Sequence, residues 1–279
     1  MERIYCCEQN AHEPMIGTAD RVDVWLMLEY TPAWKARAVE DSCLGPLARG
    51  WLERALASVA ARGLKPRAQL IRQLELDSEE VRVLVGVPGA LLEFSGRGYD
   101  FLESIDMGAV IDAPTAHSSL EEPRYFVCTN GQRDVCCARF GLPVYAALRE
   151  RVGHRAWQVT HLGGHRFAAN VLTLPQGALY GRVGADDVDA LVESVEADRL
   201  AFRNLRGRVW YEPAVQAAEA LSGRSDLTFA GMDGDDAAAR VRFSGAEGEL
   251  EVRVRRGEPV EVQKSCGDQR EPVTPFRAG

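Results

Sequence analysis

The chain has 279 residues, 46% of them hydrophobic, with a formal net charge of −8 and a pI of about 5.3. That length allows about two domains, and the acidic balance excludes nucleic-acid binding through a broad basic surface. The longest apolar run, Val83 to Phe94, is broken by Gly86, Pro88 and Gly89 and is too short to cross a bilayer. The opening residues, Met1 to Glu8, lack the apolar core of a signal peptide. The expectation is a cytoplasmic protein with neither nucleic acid nor membrane as a partner. Seven cysteines in that compartment are free thiols or metal ligands rather than a disulfide framework.

Residues 1–20 read as an irregular lead-in, with Cys6 and Cys7 as ordinary thiols or, more sharply, a redox pair. Asp23 to Tyr30, rich in Val, Trp, Leu and Met, predicts a buried strand that Pro32 ends. Gly45 to Gly63 predicts a helix, with Leu47, Leu52, Leu56 and Val59 near one face and Gly63 closing it. Strands are expected at Arg67–Arg72, Glu80–Val87 and Ala90–Phe94, the last two joined by a turn at Pro88-Gly89. Residues 95–123 show no periodicity and read as a linker.

The pattern restarts at Arg124. A strand ends at Cys128, and a helix is expected over Pro143–Val152, with the proline in its first turn. Strands follow at Ala156–Thr160, Ala168–Leu174 and Ala178–Val183, and an amphipathic helix from Asp186 to about Leu200. Strand, helix, strand, strand, strand therefore occurs twice. The tail predicts a helix at Glu212–Leu221 and strands at Asp226–Ala230, Ala239–Phe243 and Leu250–Val254. Gln263 to Gly267 reads as another edge. Asp233 to Asp236 is a turn that lacks the rest of a calcium loop, and Cys266 reads as a packing residue.

Two stretches carry chemistry. Cys128-Thr-Asn-Gly-Gln-Arg-Asp-Val-Cys136-Cys137 leaves the end of one strand, and His161-Leu-Gly-Gly-His165 leaves the end of another. Thiolates with imidazoles suit zinc or an iron–sulfur cluster, not calcium or magnesium. Zinc-finger cysteines stand two to four residues apart. Here the loop from Cys128 to either Cys136 or Cys137 is longer and can wrap a two-iron cluster. Gly163 and Gly164 argue against a metalloprotease helix and let the backbone approach a cofactor closely.

These residues, with His165-Arg-Phe-Ala-Ala-Asn170, resemble the sucrase/ferredoxin-like family, which includes the fungal actin-patch-distribution proteins. Gly17-Thr18-Ala19, Trp25 to Glu29, Leu142-Pro143 and Leu174 to Gly181 are similar to other parts of it. The resemblance implies an α/β (α+β) protein with a thioredoxin-like ferredoxin domain and a [2Fe–2S] cluster. By position it implies Cys128, Cys137, His161 and His165 as ligands, with Cys136 as the alternative to Cys137. No placed pair of carboxylates supports glycoside hydrolysis.

The expected organisation is a thioredoxin-like domain without a cluster over 1–118, the [2Fe–2S] domain over 119–200 and a small antiparallel α+β region over 201–279. The expected function is one-electron transfer, with no catalytic residue and with unidentified redox donor and acceptor proteins. Histidine ligation predicts a raised potential and proton uptake coupled to reduction. Backbone around Gly131, Gly163 and Gly164 is expected to tune the cluster, and Arg133 and Arg166 to screen it or dock a partner. Asp134 is expected to cap the segment carrying Cys137. A zinc-stabilised binding module at the same four ligands is the alternative. A thiol redox enzyme using Cys136-Cys137 or Cys6-Cys7 is a third reading, but it leaves the histidines without a role.

Overall fold

The computed structural model describes residues 5–73 and 79–279. It begins with one helical turn at Cys6–Gln9 (α1), strand Val24–Glu29 (β1), a second turn at Ala38–Asp41 (α2) and helix Pro46–Ala60 (α3). Strands Pro66–Arg72 (β2), Glu80–Val87 (β3) and Ala90–Arg97 (β4) follow, then a short helix Met107–Asp112 (α4) inside the stretch expected to be a linker. The second half holds strand Arg124–Cys128 (β5), helix Val135–Val152 (α5), and strands Ala156–Val159 (β6), Val171–Leu174 (β7) and Ala178–Tyr180 (β8). Helix Val188–Glu196 (α6), strand Leu205–Arg208 (β9) and helix Pro213–Ser222 (α7) complete this part.

Nine strands form one sheet in the order β4-β3-β1-β2-β6-β5-β7-β8-β9. In the first half β1 runs parallel to β2 and antiparallel to β3. In the second half β5 runs parallel to β6 and antiparallel to β7. Each half thus has the thioredoxin-like order, second strand, first, third, fourth. The halves meet where β2 pairs antiparallel with β6, at Ile71 with Val159 and Arg72 with Gln158. Strands β1 and β5 are buried at every residue, as strands covered on both faces must be. Each half packs its own helices over one face. A third apolar cluster spans the joint and includes Trp25, Ile71, Phe126, Cys128, Cys137 and Trp157.

The C-terminal strands are antiparallel. Thr228–Gly234 (β10), Ala238–Gly245 (β11) and Gly248–Arg256 (β12) join Phe276–Ala278 in one sheet, with Val260–Gln263 (β13) and Arg270–Val273 (β14) forming a hairpin beside it. Among the described residues no helix is long and apolar enough to cross a membrane.

The main local departure from expectation is α5. It starts at Val135 rather than Pro143, and the proline lies inside it. Asp134 caps the helix by accepting the Cys136 N–H at 2.9 Å. The buried positions Cys137, Gly141, Val144, Tyr145, Leu148 and Val152 continue at helical spacing through the proline. Burial of that face outweighs the one backbone hydrogen bond that Pro143 removes.

Glu219 on α7 is fully buried, with Arg208 Nε 2.9 Å from its Oε1. Burial raises its pKa from 4.5 to about 7 against the opposing pull of Arg208. The folded chain therefore holds this proton to higher pH than the unfolded chain. The group's favourable contribution is complete below about pH 4.5 and is lost as pH rises to about 7. The loss is on the order of 3 kcal/mol. Glu219→Gln, which mimics the protonated form, is expected to be the more stable chain at pH 8 and level with the parent at pH 4.5. Denaturant unfolding at both pH values measures this, and a Gln variant less stable at pH 8 would refute it.

Candidate metal centre

Cys128 is the last residue of β5, at the carboxyl end of the parallel pair β5–β6, where it pairs with Val159. Its N–H donates to the Asn170 carbonyl at 3.0 Å. Cys137 lies in the first turn of α5, which approaches β5 very closely. A Cβ at Gly141 would stand 2.2 Å from the Cys128 carbonyl oxygen, so only glycine lets the helix come this near. The ligand atoms of Cys128, Cys137 and His161 all lie within 4.8 Å of one another, with Cys137 Sγ 3.8 Å from His161 Nδ1. Both sulfurs are buried and His161 is half-buried.

The pair shares its protons unequally. A hydrogen bond from Cys137 holds Cys128 well below the usual thiol value against the effect of burial, helped by His161 and the Leu162 backbone N–H. Cys137 is pushed up by donating to Cys128 and by burial.

His165 sits beside this group, its ring centroid 5.0 Å from that of His161. Both of its ring nitrogens are buried without a hydrogen-bond partner, and Nε2 is 3.7 Å from Asp134 Oδ2. Burial lowers its pKa, outweighing Asp134, so the neutral ring that can donate a lone pair is favoured. An orphaned buried imidazole beside two thiols and a second imidazole fits a metal or cluster ligand set.

The histidine loop is held from both sides. Gly163 and Gly164 have φ of 94° and 67°, the left-handed region where glycine carries no steric cost. Arg67 and Gln69 on β2 donate to the His161 carbonyl at 2.9 and 3.1 Å. Arg206 on β9 is buried and donates to the Gly163 carbonyl at 2.9 Å and to Asn170 Oδ1 at 2.8 Å. Asn170 Nδ2 donates to the Gly164 carbonyl at 3.0 Å. Burial lowers the Arg206 pKa to about 9, which still leaves it cationic at neutral pH.

Other expected residues are placed differently. Gly131 N–H donates to the Thr129 carbonyl, so the nearby backbone donor to sulfur is Leu162. Arg166 makes a two-point ion pair with buried Glu13, at 2.7 and 2.9 Å, and serves packing. Arg133 is exposed and lines a cleft of about 460 Å3 with Arg37, Arg67, Gln69, Thr160 and His161.

Cys136 faces away from Cys137. Its Sγ lies 3.3 Å from Cys7 Sγ, 3.5 Å from Cys6 Sγ and 3.4 Å from Cys266 Sγ. Hydrogen bonds from Cys6 and Cys7 hold Cys136 far below the usual thiol value. Cys6 and Cys7 are pushed up correspondingly by donating to it and by burial. Sequence reasoning missed this gathering, and it missed Arg206, Leu162 and Gly141. The visible signal for the first was the pair of cysteine doublets. For Arg206 there was none, because a charged residue in a short strand reads as exposed.

The sucrase/ferredoxin-like family model matches residues 15–207. One relative is the altered inheritance of mitochondria protein 32 of Meyerozyma guilliermondii. It is 34% identical over 89 residues, which cover 28% of this chain and 31% of that protein. The match thus spans under a third of that relative. Among solved structures, the thioredoxin-like [2Fe–2S] ferredoxin of Aquifex aeolicus is 22% identical, covering 31% of this chain and 91% of its own, with a TM-score of 0.27. A cysteine-to-serine variant of it matches at 21% identity over 30% of this chain and 97% of its own, also with a TM-score of 0.27. The family match takes in both cysteines of the first group, both histidines and most of the nine-stranded sheet, and the chain belongs to the sucrase/ferredoxin-like family.

Proposed function

We propose that the chain is a one-electron carrier that holds a [2Fe–2S] cluster through Cys128, Cys137, His161 and His165. The observation that carries this reading is the gathering of Cys128, Cys137 and His161 beside a buried His165 with two unpartnered nitrogens. When bound, the cluster would supply one-electron chemistry at a potential raised by histidine ligation, in the range of about −150 to +300 mV.

The chain's own groups set the conditions. The Leu162 N–H, already directed at Cys128 Sγ, disperses charge on that sulfur. Arg206 and Asn170 hold the Gly163-Gly164 backbone so that both imidazoles keep their places. His161 is the ligand at the cleft, with Nδ1 toward Cys137.

The test is anaerobic purification with iron, sulfide and zinc analysis, followed by redox titration across pH. Two irons and two sulfides per chain are expected, with visible bands that bleach on reduction and a potential that falls as pH rises through the neutral range. A colourless chain carrying zinc at these ligands would refute the carrier. A potential flat with pH would refute coupled proton uptake.

A further inference from the structure

Seven cysteines exceed what one centre with two thiolates needs. Two belong to that centre and Cys43 is exposed and apart. Of the remaining four, Cys6, Cys136 and Cys266 gather, and Cys7 lies against Cys136. We propose that Cys6, Cys7, Cys136 and Cys266 form a second, separate site that binds one zinc ion in a tetrathiolate shell.

The sulfur spacing points to a single ion. At a Zn–S distance of about 2.3 Å, the sulfurs of a tetrahedral site stand about 3.8 Å apart. Three edges from Cys136 measure 3.3, 3.4 and 3.5 Å, and the ligand atoms of Cys6, Cys136 and Cys266 all lie within 4.8 Å of one another; Cys7, which touches Cys136 but stands outside that group, must swing toward the other two sulfurs to complete the shell. A multi-iron cluster spreads its cysteine sulfurs more widely. Backbone donors are also in place, as at metal thiolates. Cys6 N–H donates to Cys266 Sγ at 3.4 Å, and the Cys7 backbone N–H bonds Cys136 Sγ.

Asp134 lies in the same group, but both of its oxygens are engaged. Oδ1 accepts from Cys136 N at 2.9 Å, and Oδ2 accepts from Cys266 N at 3.0 Å and Ser265 Oγ at 3.3 Å. Cys7, whose Sγ is 3.3 Å from that of Cys136, is the fourth ligand once its sulfur turns toward the group, and Asp134 orients the backbone of two others. Four protein ligands in a mostly buried setting leave no open position, which is the arrangement of a structural zinc. As the ion enters, the remaining thiol protons pass to solvent.

The site would fasten three distant stretches: α1, the start of α5 and the β13–β14 hairpin. Two of these stretches, α1 and the hairpin, are also joined by Asn10, whose side chain donates to the Gln263 carbonyl at 2.6 Å and accepts its N–H at 2.9 Å. Three of the four ligands lie outside residues 15–207, so the site is not part of the family match.

Zinc and iron are measured in the full chain, grown with added zinc and exchanged into zinc-free buffer, beside Cys266→Ala, Cys6→Ala and Cys128→Ala. Cys266 is only partly buried on a hairpin turn, so its variant keeps the fold, which circular dichroism checks. The expected result is one zinc per chain in the parent and in Cys128→Ala, with a loss of at least about tenfold in Cys266→Ala and Cys6→Ala. Three results would each overturn the proposal. The reduced parent takes up no zinc on incubation; zinc is unchanged in both Cys266→Ala and Cys6→Ala; or intact mass shows two hydrogens lost to a disulfide among these residues. Zinc that disappears only in Cys128→Ala lies at the other centre and also overturns it. Iron content is read separately, so failure here and failure of the electron-carrier reading are distinguishable.

Discussion

Cys137→Ala is expected to strip the chain of iron and visible colour, whereas Cys136→Ala keeps both. The two residues are adjacent, but α5 turns them to opposite sides. Cys137 meets Cys128 and His161, and Cys136 meets Cys6, Cys7 and Cys266. Losing a direct ligand should cost more than the roughly 10–100-fold in affinity typical of losing a supporting partner. Alanine is the better choice here because a serine oxygen can still ligate iron. Iron and sulfide analysis with the absorption spectrum gives the readout. Cys136→Ala losing its iron while Cys137→Ala keeps it would reverse the ligand assignment.

Gly141→Ala is expected to lower both stability and iron retention, although alanine is the better helix former. In an exposed helix the exchange gains about 1 kcal/mol. Here the new Cβ would stand 2.2 Å from the Cys128 carbonyl oxygen, and that oxygen is backbone at the end of a buried strand. The helix must retreat, and overpacking of this kind costs about 1–3 kcal/mol or more. Cys137 is one turn away on the same face, so the retreat also pulls its sulfur from Cys128. Thermal unfolding and iron content together test this. A variant that melts higher with full iron would show that α5 does not need its close approach to β5.

Much of this arrangement was legible in the sequence. The ends of β5 and β6 were marked by hydrophobic runs that stop at Cys128 and just before His161. The doubled strand–helix–strand–strand–strand order was visible because each strand is a short apolar run bounded by turn residues. Helix α5 was misread because Pro143 looks like a first-turn residue, and only burial of the preceding turn reveals the helix there. The short β14 and the final strand were missed because their residues are mostly exposed or half-buried and carry no alternation. The meeting of Cys6, Cys7 and Cys266 with Cys136 lies across 129 or 130 residues of chain. No local pattern encodes such a contact. The role of Arg206 was hidden for the same reason, since its partners at Thr18, Gly163 and Asn170 are distant in sequence.

The loop bearing both histidines is braced from beyond residues 119–200, the stretch expected to form its domain. Arg67 and Gln69 reach it from β2 and Arg206 reaches it from β9. The ferredoxin-like portion is therefore not a detachable cassette. Cut out at residues 119–200, it would leave the carbonyls of His161 and Gly163 without their donors and the β6 edge bare. Grafting the two motifs onto another scaffold would carry over the cysteines and histidines but not the rigidity of the loop that holds them. The half that bears no ligands is, in engineering terms, the jig that holds the other half to tolerance.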